Sequence, residues 1–156
     1  MTRKTAREIA VELCFAAAAN GVDTDELVDS FFSDEHYPSL GVEDELFAEK
    51  PDKKQLDYIR TLTRLSREKG DELDEMIERY AHGWKAGRIS RTAHAVLRIA
   101  LCEILYMDEI PAAVAINEAV ELDKGYDDAE TVAFVNGVLG GFMRGENTSG
   151  EEQEKP

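Results

Sequence analysis

Cysteine is scarce in this 156-residue sequence, and long apolar runs are absent. Its two cysteines, Cys14 and Cys102, lie far apart and form no C-x-x-C pair, so a disulfide scaffold or a paired-cysteine zinc site has little support. No apolar stretch approaches the roughly 20 residues that a membrane helix needs, and the N-terminus lacks the apolar segment of a signal peptide. We therefore expect a cytoplasmic protein without a membrane partner.

Positive charge is also in short supply, because 18 Lys and Arg face 33 Asp and Glu, for a net charge of −15. Such a balance argues at first against nucleic acid, since phosphate binding needs local positive charge. The charges are segregated, however. Residues 21–50 hold ten acids and one lysine, whereas residues 84–100 hold four Lys and Arg and no acid. A solvated surface explains this segregation as well as a binding function does.

Catalytic signals are few. The three histidines, His36, His82 and His94, show no metal-binding spacing, and no glycine-rich phosphate loop follows a strand. We therefore expect no enzyme activity, no cofactor and no metal site.

Helical periodicity dominates the remaining pattern, and no useful strand alternation is present. The sequence predicts an all-α bundle of about seven helices in one domain, residues 1–144, followed by a disordered acidic tail, residues 145–156. Residues 33–50 are predicted to form a long acidic loop with a helical turn near residues 43–48. The predicted helices cover residues 5–19, 23–32, 51–70, 71–81, 90–110, 111–123 and 128–144.

A basic strip is predicted on the first helix. On a helical wheel Arg3, Lys4 and Arg7 share one side, and Phe15 projects on the side of Lys4. Cations and an aromatic ring suit single-stranded RNA, because they track phosphates and stack on bases. From these residues alone, a frayed basic N-terminus and a core phenylalanine are the favoured alternative.

A second strip is predicted on the helix over residues 90–110, where Arg91, His94 and Arg98 follow one another at three- and four-residue spacing. No neighbouring acid in the sequence offsets these cations, which favours an anionic ligand. The alternative is that the long side chains cover the core and pair with the acidic loop.

The last predicted helix has two different faces. One is apolar and is expected to pack the core, while Gly137, Gly140 and Gly141 cluster on the other, bordered by Glu130 and Phe134. Each glycine costs a helix roughly 1 kcal/mol relative to alanine, so a close approach is expected to offset them. It is either an internal helix crossing or an exposed docking groove in which Phe134 anchors a protein partner.

Three segments together resemble the NusB family: VLRIALCEI (residues 96–104), IPAAVAINEAVELDK (residues 110–124) and FVNGVL (residues 134–139). The sequence RKTAREIAVEL (residues 3–13) is similar to that family's arginine-rich entry helix, and Leu73, Tyr80 and Trp84 fit its middle region. The resemblance covers most of residues 2–143 and is weakest across residues 21–50.

This resemblance implies an all-helical fold in two subdomains, without catalysis, that binds the boxA element of ribosomal RNA leaders. Binding would occur together with NusE, a small-ribosomal-subunit protein, and would serve the RNA polymerase antitermination complex indirectly. By position, the partner-facing residues are Glu130, Phe134 and Gly137. The RNA-binding positions are Arg3, Lys4, Arg7, Phe15, Tyr80, His94, Arg98 and Lys124.

The sequence departs from the family pattern in places. Ala93 stands where an acid is common, Gly140 follows Leu139 where aspartate is usual, and the N-terminal strip has few arginines. These departures favour an alternative function, a helical protein-interaction module without RNA binding. The pattern leaves open whether the chain is a monomer or a homodimer.

Overall fold

The computed structural model describes residues 1–81 and 89–154. All regular secondary structure in these ranges is helical, and the chain forms two compact units, Met1–Gly70 and Asp71–Pro156. The predicted all-α fold in two subdomains is confirmed. None of the helices in the described ranges is both long and apolar enough to cross a membrane.

The first unit is built around helix α4. Its elements are α1 (Arg3–Asn20), α2 (Thr24–Phe31), α3 (Tyr37–Leu40), a short 3-10 helix (Glu45–Phe47) and α4 (Lys53–Glu68). Helix α4 packs against α1 and α2, and Ile9, Leu13, Ile59 and Leu62 are fully or almost fully buried. The apolar stripes predicted for α1 and α4 therefore form the core of this unit.

Arg67 of α4 forms hydrogen bonds at the end of α1. Arg67 donates from Nη2 to the carbonyl of Ala17 at 2.8 Å and from Nη1 to the carbonyl of Val22. It thereby satisfies backbone groups at the end of α1, where Gly21 turns the chain at φ 62°, as predicted. The position of α1 along α4 is thus fixed by hydrogen bonds as well as by burial.

The acidic loop of residues 33–50 is more ordered than predicted. It contains α3, which the sequence analysis missed, and the 3-10 helix, which agrees with the predicted turn. Tyr37 and Phe47 are buried and pack edge to face with Phe31 at ring-centroid distances of 5.8 and 5.7 Å. The Tyr37 hydroxyl donates to the carbonyl of Glu49 at 2.6 Å. Aromatic packing fixes this segment, although its acids suggested an irregular surface loop.

Helix α4 begins later than the predicted start at Pro51. Asp52 is its N-cap. The Asp52 carboxylate accepts from the backbone amide of Gln55 at 2.8 Å, and the side-chain oxygen of Gln55 accepts from the backbone amide of Asp52 at 3.0 Å. This reciprocal capping box satisfies two free amides and sets the helix start at Lys53.

The second unit contains α5 (Gly70–Tyr80), α6 (Arg91–Tyr106), α7 (Ala112–Asp123) and α8 (Ala129–Glu154), with Gly70 at the boundary between the units. Helices α6, α7 and α8 pack against one another. Their core includes Leu97, Leu101, Val135 and Leu139, each at most 1% exposed. Ser90 caps α6, as predicted, by accepting from the Ala93 amide at 2.9 Å.

The last helix of the second unit is longer than predicted. Helix α8 continues to Glu154, past the predicted end at Arg144, so the domain boundary at residue 144 stays a prediction. Trp84, which fits the middle region of the family in the sequence, lies outside the described residues.

Candidate nucleic-acid and partner surfaces

The start of α1 presents two cations to solvent. Arg3 and Lys4 are exposed, and the Arg3 guanidinium lies over the Tyr58 ring, 4.1 Å from its centroid. Phe15 is 42% exposed and lies about three turns beyond Lys4. Phe15 is therefore not a core residue, and the surface of α1 carries both positive charge and an aromatic face.

The N-terminus is held in place. Thr2 caps α1 by accepting from the Thr5 amide at 3.1 Å, and the terminal ammonium pairs with Glu49 at 2.8 Å. This ion pair lowers the pKa of the Glu49 carboxyl. The alternative of a frayed basic end does not hold for this structure, and Arg3 and Lys4 start from ordered backbone.

Arg7 departs from the predicted strip. It is 3% exposed, although the helical wheel placed it with Arg3 and Lys4. Because its side chain is inside the protein, Arg7 cannot reach an RNA phosphate from this conformation.

An acid of α5 pairs with two of the three cations of the second strip. Asp74 of α5 accepts from Arg98 through both oxygens, at 2.9 and 2.6 Å, and lies 2.5 Å from Nε2 of His94. Burial raises the pKa of the Asp74 carboxyl, but hydrogen bonds from Arg98 and His94 outweigh that effect and hold it below its ordinary value. The prediction that no acid offsets these cations is wrong for His94 and Arg98, and the pairing acid is not in the loop of residues 33–50.

Two further cations of the second unit are open to solvent. Arg91 is exposed and makes no ion pair with any described residue. Lys124 is also exposed and pairs with Glu121 at 2.7 Å, three residues before it on α7. Such an exposed pair contributes little to stability, so the Lys124 ammonium remains available to an anion.

The glycines of α8 have two different surroundings. A Cβ atom added at Gly137 would meet open space, and one added at Gly141 would lie 3.4 Å from the Tyr80 ring. A Cβ atom added at Gly145 would lie closer still to the hydroxyl end of that ring. The Tyr80 hydroxyl donates to Glu146 at 3.0 Å, and the ring packs edge to face with Phe142 at 5.8 Å. Crowding by Tyr80 therefore explains Gly145, whereas a Cβ at Gly141 would make an ordinary van der Waals contact and one at Gly137 none.

The predicted partner residues divide in the same way. Glu130 and Gly137 are exposed on α8, but Phe134 is only 2% exposed. The expectation that Phe134 anchors an exposed groove is not met here, because its ring belongs to the interior.

Comparison with known protein families assigns this chain to one of them. The model of the NusB family matches residues 4–144. The chain belongs to the NusB family.

Its relatives resemble it over almost their whole length. The chain is 39% identical to the transcription antitermination protein NusB of Carboxydothermus hydrogenoformans, over 90% of this chain and 91% of the relative. It is 33% identical to the protein of that name from Symbiobacterium thermophilum, over 93% and 91%. Among solved structures, NusB of T. maritima matches with a TM-score of 0.69 at 26% identity, covering 92% of each chain.

The contrast between the glycines of this NusB-family helix is testable by alanine substitution. Gly137→Ala should stabilise the protein by about 0.5–1 kcal/mol, because alanine is the better helix former and its Cβ meets open space. Gly145→Ala should destabilise it by roughly 1–3 kcal/mol, because the added methyl overlaps the Tyr80 ring. Urea unfolding of both variants measures the difference. Equal stabilisation of the two would contradict the packing of Tyr80 on α8.

Proposed function

We propose that this chain is a transcription antitermination factor that binds boxA-like RNA of ribosomal RNA leaders together with a NusE-type ribosomal protein. It would act in the cytoplasm by binding and without catalysis. The observation that carries the proposal is the exposed face of α1, where Arg3, Lys4 and Phe15 are presented from a capped helix. Family membership supports the same function.

The face of α1 has the chemistry that single-stranded RNA requires. The Lys4 ammonium supplies a mobile charge for a phosphate, and the Arg3 guanidinium lies over the uncharged Tyr58 ring, so this contact does not offset its charge. Phe15 offers a flat surface on which one base stacks. The first turn of α1 contains no acid, so no carboxylate on that turn competes with the RNA.

The second unit adds cations of a different kind. His94 and Arg98 are held by Asp74, and an arriving phosphate would compete with that carboxylate for them. Arg91 and Lys124 are already exposed. Tyr80 is half-buried against α8, so its part in RNA binding would be limited to its hydroxyl edge.

The partner surface that we propose is the exposed side of α8 at Glu130 and Gly137. The open space above Gly137 lets the backbone of another protein approach closely, which offsets the helix cost of a glycine there. Phe134 supports this surface from beneath as a buried residue.

The alternative function is a helical protein-interaction module without RNA binding. The pairing of Asp74 with both His94 and Arg98 favours it, as does the net charge of −15. RNA binding separates the two candidates directly.

Lys4→Ala should weaken binding to a boxA-containing RNA by up to about tenfold at low salt, the equivalent of one lost charged contact. Fluorescence anisotropy with labelled RNA measures the affinity. The matched control is Lys54→Ala, which removes an equally exposed lysine from the start of α4 and should leave the affinity unchanged. Equal losses in both variants would mean that net charge, not the α1 face, governs binding.

Gly137→Leu should lower the affinity for the cognate NusE-type protein by tenfold or more, because a bulky side chain blocks the close approach. Ala113→Leu is the control, since Ala113 is an exposed position of α7 outside the proposed surface. Calorimetric titration with the purified partner, alongside unfolding curves for both variants, separates lost contact from lost fold. Unchanged partner affinity of a folded Gly137→Leu protein would place the partner elsewhere.

A further inference from the structure

Two carboxyl groups meet where α7 turns into α8. Asp123, the last residue of α7, is fully buried, and neither of its side-chain oxygens has a hydrogen-bond partner among the described residues. The Asp127 amide donates to the Asp123 carbonyl at 2.9 Å, and the two carboxyl groups lie close enough to form a hydrogen bond when one of them carries a proton. Burying an ionised carboxyl group without a hydrogen-bond donor costs free energy, which favours a protonated carboxyl at this position.

Asp127 also connects the turn to another helix. Its Oδ2 accepts from the Ser90 hydroxyl at 3.0 Å, and the oxygen of that hydroxyl accepts from the Ala93 amide at 2.9 Å. Ser90 therefore uses its single proton on Asp127 and a lone pair on the first turn of α6. One serine joins the α7–α8 turn to the N-terminus of α6.

The charged surroundings of Asp123 are negative. Asp127 lies beside it in the turn, and Asp128 caps the start of α8 by accepting from the Thr131 amide at 2.8 Å. On α7 itself, Glu121 and Lys124 are exposed and pair with each other. No cation on these segments neutralises Asp123.

The described residues of α6 and of the first turn of α8 offer no cation to Asp123 either. On α6, His94 and Arg98 are engaged by Asp74, and Arg91 is exposed. Glu103, also on α6, is itself buried, and Glu130 near the start of α8 is exposed. Burial and then the Asp127 and Asp128 carboxylates raise the pKa of Asp123 to about 7.

We propose that Asp123 and Asp127 share one proton, and that this shared proton latches the α7–α8 turn to the N-terminus of α6. With the proton on Asp123, its hydroxyl donates to Asp127, whose Oδ2 remains an acceptor for Ser90. When the proton leaves for solvent, two adjacent carboxylates repel each other and Asp127 withdraws from Ser90. The first turn of α6 then loosens.

The latch would regulate binding through the residues that it positions. Arg91, His94 and Arg98 follow Ser90 on α6, and Lys124 lies next to Asp123. This part of the inference rests on the proposed RNA-binding function. RNA affinity should fall as pH rises through neutrality.

The structural part is tested on the full chain by following backbone amide resonances in two-dimensional NMR from pH 5.5 to 9. Amides of residues 90–93 and 123–128 should shift together with one midpoint near neutral pH. Asp123→Asn supplies a permanent donor to Asp127 and should abolish this shared transition. Asp108→Asn, an exposed acid elsewhere, should leave it intact. Separate midpoints for the two segments, or a wild-type transition in Asp123→Asn, would overturn the latch.

Unfolding curves provide a second readout. Because the folded state raises the pKa of Asp123, the protein binds extra proton when folded, and rising pH removes stability between the ordinary aspartate value and about 7. The unfolding constant should rise by at most about tenfold per pH unit in that window and level off above it. Asp123→Asn should flatten this dependence, and Asp127→Asn, which also supplies a donor, should weaken it. Wild-type pH dependence in both variants would contradict the shared proton.

Binding of boxA RNA at pH 6.5 and 8.5 tests the regulatory part. Wild-type affinity should drop at the higher pH by a larger factor than that of Asp123→Asn. Equal drops in both proteins would overturn the regulatory link. A failure to bind RNA at either pH would reject the proposed function, while the amide transition would still decide whether the latch exists.

Discussion

Competition for a limited supply of cations constrains this protein more than any other feature. With 33 acids against 18 Lys and Arg, a cation that is to meet RNA must be kept away from carboxylates. Arg60, for example, forms ion pairs with Asp25 and Asp29. The α1 terminus escapes this competition, because its first turn has no acid and Arg3 lies on a tyrosine ring. The start of α1 therefore presents two cations, Arg3 and Lys4, from a capped helix.

The second unit handles the same constraint differently. Asp74 collects Arg98 and His94 into one hydrogen-bonded group that joins α5 to α6. Because this group is partly exposed, solvent screens it, and an RNA phosphate could exchange with the carboxylate at modest cost. The acid holds the two side chains in one arrangement, which would reduce the entropy lost in the proposed RNA complex.

Helix positions were largely predictable, because apolar periodicity and helix caps depend on residues that are close together in the sequence. Gly21 and Ser90 end and begin helices as their local chemistry predicts. Helix α3 was not predicted, because the acids and Pro38 in this segment are typical of a loop. The segment is ordered by the packing of Tyr37 against Phe47. Such packing depends on contacts between segments, which periodicity does not reveal.

The candidate sites were less predictable for the same reason. A helical wheel gives directions around one helix but not which direction faces the interior, so Arg7 and Phe134 were assigned to surfaces and are buried. The partner of His94 and Arg98 lies 20 and 24 residues before them on another helix, and no local pattern points to it. Asp123 resembles an ordinary helix-end acid until its burial is known.

The most direct test of the account is a salt titration of binding to boxA-containing RNA, with and without the cognate NusE-type protein and against a scrambled RNA. The account predicts that affinity falls linearly with salt on logarithmic axes, that the partner increases the affinity, and that boxA is preferred over the scrambled sequence. Binding that is absent, insensitive to salt or indifferent to sequence in the presence of the partner would contradict it.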